Sequence, residues 1–335
     1  MSYFVFNLLF YISSYGLFMS SSFLMFWVLM ELVTFFFISI MSESSMVHKK
    51  HSWKYFSIQA VGSAWLVLGI MWMSNHDFWL GEGEKGLKWG NITYVVFPLL
   101  MKLGMIPFHG WAMELAEGLS GKNLNLFLTL TKIGPMLAFI YFVKHSSNEL
   151  VMLVVLVSLL ASAMAIKNLS FRQFLVLSSI VNLCWIMLSS AMSMYLSVMM
   201  MLFYFINLFA VLTIFDKWMH LSVKSFFKYP FPITESQLLV FIVAMISLWG
   251  IPPFMMFMVK YSTMEMMVNN MGILPCLIML LSSMILLITY LSLAISCIIK
   301  GESLPSDLKV PPITLIGMVA QVFIIFVVCI FAALV

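Results

Sequence analysis

The sequence predicts an all-α membrane protein with about eleven transmembrane helices, inverted repeats and two broken helices. Three observations predict it. Of 335 residues, 63% are hydrophobic and 9% charged, against about 25% charged in soluble domains, and the mean hydropathy is +1.07. The apolar residues come in runs of about twenty, the length of a bilayer-spanning helix, and not in the alternating segments of about ten that build a barrel. Two runs are interrupted in corresponding places, by LGMIPF at Leu103 to Phe108 and by LWGIPPF at Leu248 to Phe254. A pair of Gly/Pro-interrupted spans is the sequence mark of an inverted-repeat transporter.

Taken in order, the expected spans are approximately 3–20, 22–41, 55–73, 91–106, 124–143, 149–166, 172–190, 193–215, 235–259, 271–299 and 313–335. The stretch 107–123 continues the broken fourth helix. The second half of the ninth span runs on past Lys260. Only the connections 74–90 and 216–234 are long, so residues 1–335 form a single polytopic domain. Within it, approximately 1–143 is one repeat, approximately 149–299 the second, and 313–335 a C-terminal helix.

Basic residues in short loops set orientation. Lys49, Lys50, Lys54, Lys122, Lys167, Arg172, Lys217, Lys224, Lys228, Lys300 and Lys309 fall on the side of the N-terminus. Lys85, Lys88 and Lys144 fall on the other. The bias places the N-terminus on the cytoplasm-equivalent side, and an odd number of spans places the C-terminus opposite. The net charge of +4 reflects these loops and does not suggest nucleic acid.

The remaining lysines lie inside apolar runs. Lys102 has apolar neighbours for about two turns on either side, where an ammonium costs roughly 2.5–3.5 kcal/mol to insert. Gly104 and Pro107 follow it, and a proline removes a backbone donor and clashes with the preceding turn. A broken helix at membrane depth needs protein or a water-filled cavity to satisfy its freed carbonyls. A charge beside such a break marks an ion or proton site, or else a snorkelling side chain near a helix end. Glu31 is buried in FLMFWVLMELVTFFFISIM, and Lys132 precedes a further break at Gly134 and Pro135. Lys260 follows the break at Gly250, Pro252 and Pro253. Pairing Glu31 with Lys102 offsets the burial of both. A static ion pair between helices is the competing reading, and it leaves Lys132 and Lys260 without obvious partners. His109 and Glu114 follow the first break and are a possible relay or support, although a His near a helix end also serves as an interfacial group.

Several chemistries are excluded. Cys184, Cys276, Cys297 and Cys329 all lie in apolar runs without metal-ligand spacing and read as packing residues. There is no Gly-rich phosphate loop and no haem or iron–sulfur pattern. The N-terminus shows no Arg-rich, Ser-rich amphipathic transit sequence and turns apolar almost at once.

MKLGMIPFHGWAMEL, TLTKIGP, SLWGIPPFMMFMVKY, FWVLMEL and KYFSIQAVGSA together resemble the antiporter-like, proton-pumping membrane subunits of respiratory complex I. Within them, helix number and length favour the mitochondrially encoded chain 2 type of NADH–ubiquinone oxidoreductase. The 32 methionines fit a genetic code that reads an isoleucine codon as Met, as in many animal mitochondria. The resemblance implies proton translocation through Glu31, Lys102, Lys132 and Lys260, with His109 and Glu114 matching the motif after the first break. It implies no redox cofactor or quinone site on this chain, with FMN and iron–sulfur clusters on other subunits. It implies a multi-pass protein of the mitochondrial inner membrane, N-terminus in the matrix and C-terminus in the intermembrane space. The implied partners are antiporter-like and small membrane chains of the complex, accessory subunits and lipids such as cardiolipin. Two positions depart from the family pattern: Gln173 stands where Lys is usual, and Asn182 where His is usual. A cation/proton antiporter subunit and a structural scaffold are the alternatives, and buried ionisable groups beside helix breaks argue against a scaffold.

Overall fold

A computed structural model describes residues 2–42, 46–80, 89–142, 148–167, 170–215, 235–252 and 254–300. Among them there is no β-strand, as the apolar runs require. Thirteen helices are described: α1 Ser2–Met19, α2 Phe23–Ser42, α3 Met46–Leu80, α4 Trp89–Leu103, α5 Gly110–Gly118, α6 Gly121–Leu128, α7 Leu130–Phe142, α8 Asn148–Ala165, α9 Phe171–Met192, α10 Met194–Phe215, α11 Glu235–Trp249, α12 Met255–Met271 and α13 Ile273–Lys300.

Six of these segments are long and apolar enough to cross a membrane: Phe23–Ser42, His51–Trp72, Gly121–Phe142, Phe171–Met192, Met194–Leu212 and Ile273–Ser292. The expectation of about eleven spans is not reached among the described residues. Phe4–Met19, Tyr94–Leu103 and Glu149–Ala165 are apolar but shorter. The expected span 235–259 is divided between α11 and α12. The expected helix 313–335 and the loop lysines Lys85, Lys88, Lys144, Lys217, Lys224, Lys228 and Lys309 lie outside the described residues, as does Pro253.

The chain divides into two compact units, Met1–Leu150 and Val151–Val335. In the first, α1 packs on α2, α3 packs on α2, α4 and α5, and α7 touches α1, α2, α4 and α6. An aromatic cluster ties α2, α3, α5 and α6 together. Phe37 and Tyr55 lie 5.5 Å apart, Tyr55 and Trp111 5.7 Å, and Trp111 and Phe127 5.9 Å. This cluster, which includes Trp111, fixes the chain after the first break. In the second unit α9 is the core, touching α10, α12 and α13. Every residue of α9 from Phe174 to Ser190 is buried.

The two interrupted spans end alike, on a glycine in the left-handed region that lacks a Cβ penalty. Gly104 has φ +70° and Gly250 φ +88°. At the first, Gly104 N–H donates to Met101 C=O at 3.2 Å and Met105 N–H to Leu100 C=O at 3.0 Å, the paired bonds of a Schellman turn. At the second, Gly250 N–H donates to Ile246 C=O at 3.1 Å, the single-bond version.

The third interruption is not where the Gly-Pro pair suggests. Gly134 and Pro135 lie within α7, and the break falls at Thr129, φ −109° and ψ −81°. Pro135 disturbs the carbonyl four residues earlier, at Thr131 inside α7, and the break at Thr129 lies two residues further upstream. Hydroxyls cover the loosened turn: Thr129 Oγ1 donates to Asn125 C=O and Thr131 Oγ1 to Phe127 C=O, both at 2.6 Å.

Candidate functional site

Lys102 lies in the last turn of α4, where the partial negative charge of a helix end favours a cation. Its Nζ donates to Glu31 Oε1 of α2 at 2.8 Å. The two side chains are 1% and 30% exposed. The lysine is thus enclosed and the carboxylate less so. An ion pair is the arrangement that makes an ammonium tolerable at this depth. The freed carbonyl of Lys102 itself accepts from Gln59 Nε2 of α3 at 3.1 Å. One residue thereby has both its charge and its orphaned backbone group satisfied.

Beside the pair is a small cavity lined by Met30, Val33, Thr34, Gln59, Lys102 and Thr131, among others. Its space for a water-sized body is about 10 Å³, close to a single water site. Gly134 lets α7 approach this region: a Cβ there would stand 2.8 Å from Met30 Cγ. Lys132 is buried on the same helix at 4% exposure. Its backbone N–H donates to Thr129 C=O at 3.1 Å, one turn after the break.

In the second unit Lys260 extends from α12 back to the end of α11. Its Nζ donates to Trp249 C=O at 2.7 Å and lies 5.7 Å from the Trp185 ring centroid. The lysine caps the broken helix, and its charge meets a carbonyl at a helix C-terminus and an aromatic face. Trp249 is itself held, its Nε1–H donating to Ser283 C=O at 2.5 Å. The two breaks share a left-handed glycine and a buried lysine, yet the freed carbonyl is covered by an amide at one and by the ammonium at the other.

His109 precedes α5 and is half-buried, with Nδ1 3.3 Å from Pro107 O. Glu114 forms a half-exposed ion pair with Lys54 of α3 and so belongs to the surface, not to the Glu31–Lys102 pair. Gln173 closes a capping box with Ser170 at the start of α9, which explains a glutamine at that position by helix initiation. Asn182 is buried in α9 at 3% exposure, one turn before Trp185. Among the described residues, no group of three or more His, Cys, Asp or Glu side chains could hold a metal.

Gln59, Gly62, Trp185 and Trp249 are the contacts that sequence reasoning missed. The one available signal was the spacing of Gln59 and Gly62 in KYFSIQAVGSA, three residues apart and hence on one helical face.

The model of the transmembrane family described as NADH:quinone oxidoreductase/Mrp antiporter matches residues 19–286. This chain belongs to that family. Among relatives in the family, NADH-ubiquinone oxidoreductase chain 2 of Artemia franciscana is 28% identical over 318 residues, covering 93% of this chain and 95% of its own. In fold, a chain of respiratory complex I from Thermus thermophilus, solved with bound aureothin, matches with a TM-score of 0.77 at 18% identity. That match covers 97% of this chain and 77% of the other. A chain of the Mrp complex from a Dietzia species matches with a TM-score of 0.74 at 17% identity, over 91% of this chain and 62% of its own.

Proposed function

We propose that this chain is a proton-translocating membrane subunit of respiratory complex I, coupling NADH–ubiquinone electron transfer to proton pumping. Membership of the family and the relatives named NADH-ubiquinone oxidoreductase chain 2 support the function. Glu31, Lys102, Lys132 and Lys260 are its proton-carrying groups. The observation that carries this assignment is the 2.8 Å Lys102–Glu31 pair at the end of a broken helix, beside room for a water. A carboxylate beside an ammonium favours the charged form of each. Separating the two withdraws that support, and Lys102 gives up its proton to water. Reclosing draws a proton back.

Moving a charge against the membrane potential costs about 2.3 kcal/mol per 100 mV, and this energy comes from partner subunits. FMN and iron–sulfur clusters reside on those partners, and this chain carries no redox group. The partners are the antiporter-like and small membrane chains of complex I, accessory subunits and lipids such as cardiolipin. The protein spans the mitochondrial inner membrane, with its N-terminus in the matrix and its C-terminus in the intermembrane space.

The shared fold with a chain of an Mrp complex favours a second reading, a cation/proton antiporter subunit. Mass spectrometry after mild solubilisation separates the two. The proposed function predicts co-purification with a large redox assembly carrying flavin and iron–sulfur subunits. A small transporter assembly without them would favour the antiporter.

A further inference from the structure

We propose that Gln59 and Gly62 of α3 are positioning residues that fix Lys102, so that the buried pair opens on the Glu31 side. The inference rests on the reading of that pair as a proton site. Three contacts converge on Lys102. Gln59, 4% exposed, donates to its carbonyl at 3.1 Å, replacing the partner lost where α4 ends. The Schellman turn at Gly104 locks the backbone immediately after it. The lysine stem lies on the bare backbone of Gly62, where a Cβ would stand 2.9 Å from Lys102 Cγ and 3.5 Å from Cε. Contacts under 3.0 Å force a neighbour to move, and Cγ lies near the root of the stem, close to the fixed backbone.

Glu31 is placed differently. Its side chain is 30% exposed against 1% for Lys102. The cavity beside the pair is lined by Met30, Val33 and Thr34 of the Glu31 helix and by Lys102 and Gln59. The Thr34 hydroxyl turns back to the Glu31 carbonyl at 2.8 Å, away from the carboxylate. The looser packing therefore lies with Glu31, and the tethers lie with Lys102.

A glycine facing a neighbouring membrane helix also serves close packing alone, and the molecule supplies a control. Gly69, further along α3, faces the same helix, and a Cβ there would stand 2.6 Å from the backbone oxygen of Tyr94. If packing were the whole role of these glycines, Gly69→Ala would do more harm than Gly62→Ala, since backbone yields less than a side chain.

The test uses the intact complex carrying Gly62→Ala, Gln59→Met, Gly69→Ala, Glu31→Asp or Lys102→Met, measuring assembled complex, the rate of proton pumping and protons moved per electron. Misplacing a reacting group by about 1 Å costs up to about 100-fold, so we expect Gly62→Ala and Gln59→Met to lower the pumping rate by about tenfold in complexes that assemble. Gly69→Ala is expected to lower the amount of complex while the complexes that form keep the parental proton-to-electron ratio. Glu31→Asp is expected to lose pumping, because a fixed lysine cannot follow a shortened carboxylate. Parental pumping in Gly62→Ala and Gln59→Met, or an equal loss of ratio in Gly69→Ala, overturns the positioning role. Retained pumping in Glu31→Asp overturns the fixed lysine. Should Gly62→Ala fail to assemble, Gln59→Met decides, since it keeps the volume and removes the donor. Lys102→Met separates the two levels. If it pumps normally, the proton-site reading fails; if it loses pumping while both α3 variants keep it, the positioning role alone fails.

Discussion

At the scale of single residues, the account turns on how unequally the buried charges are compensated. Lys102 is nearly sealed and Glu31 is partly open, so deleting one partner is not equivalent to deleting the other. Glu31→Gln leaves an enclosed ammonium without its counter-charge, and we expect a loss of stability of roughly 2.5–3.5 kcal/mol. Lys102→Met leaves a carboxylate that is less enclosed than the ammonium and should cost less. Thermal unfolding of the two solubilised variant complexes checks the order. Lys132 is buried at 4% exposure just after the Thr129 break. Lys132→Met keeps an unbranched side chain of similar length. We expect normal assembly with loss of proton pumping or of coupled quinone reductase activity, read as protons per electron in sealed vesicles. An unchanged ratio and rate would remove Lys132 from the set of proton carriers.

At the scale of elements, glycines ending the helices hold the breaks. Gly104→Ala forces an L-residue to φ +70°, which costs about 1–2 kcal/mol. It also sets a Cβ 3.0 Å from Ala112 Cβ and 3.1 Å from the Trp111 ring. Gly110→Ala, at the start of α5, meets nothing within 4 Å and should be neutral or stabilising by up to about 1 kcal/mol. Melting curves of the two variants should diverge accordingly. The breaks at Gly104 and Gly250 were legible in the sequence because Gly, Pro and a nearby lysine coincide within apolar runs. The break at Thr129 was not, because the Gly-Pro pair that catches the eye lies inside α7, five and six residues downstream. The Glu31–Lys102 pairing was legible from cost alone, since neither charge is tolerable unpartnered. Gln59, Trp185 and Trp249 were not, because their contacts join residues distant in sequence and leave no periodic trace. Apolar runs were legible from hydropathy, and six of them are long enough to cross a membrane among the described residues.

At the scale of the whole molecule, the prediction of orientation rests on the asymmetry of loop lysines. We expect a tag on the N-terminus to resist protease added to intact mitoplasts. Cleavage from outside would reverse the orientation and, with it, the side from which protons reach each unit. The central claim is that a buried ion pair beside a broken helix moves protons in this chain, and the direct measurement is the proton-to-electron ratio. Complex carrying Lys102→Met, reconstituted into sealed vesicles and driven by NADH and a quinone, should move fewer protons per electron than the parent complex or lose coupled turnover. A Lys102→Met complex with the parental ratio and the parental rate of quinone reduction would contradict the account.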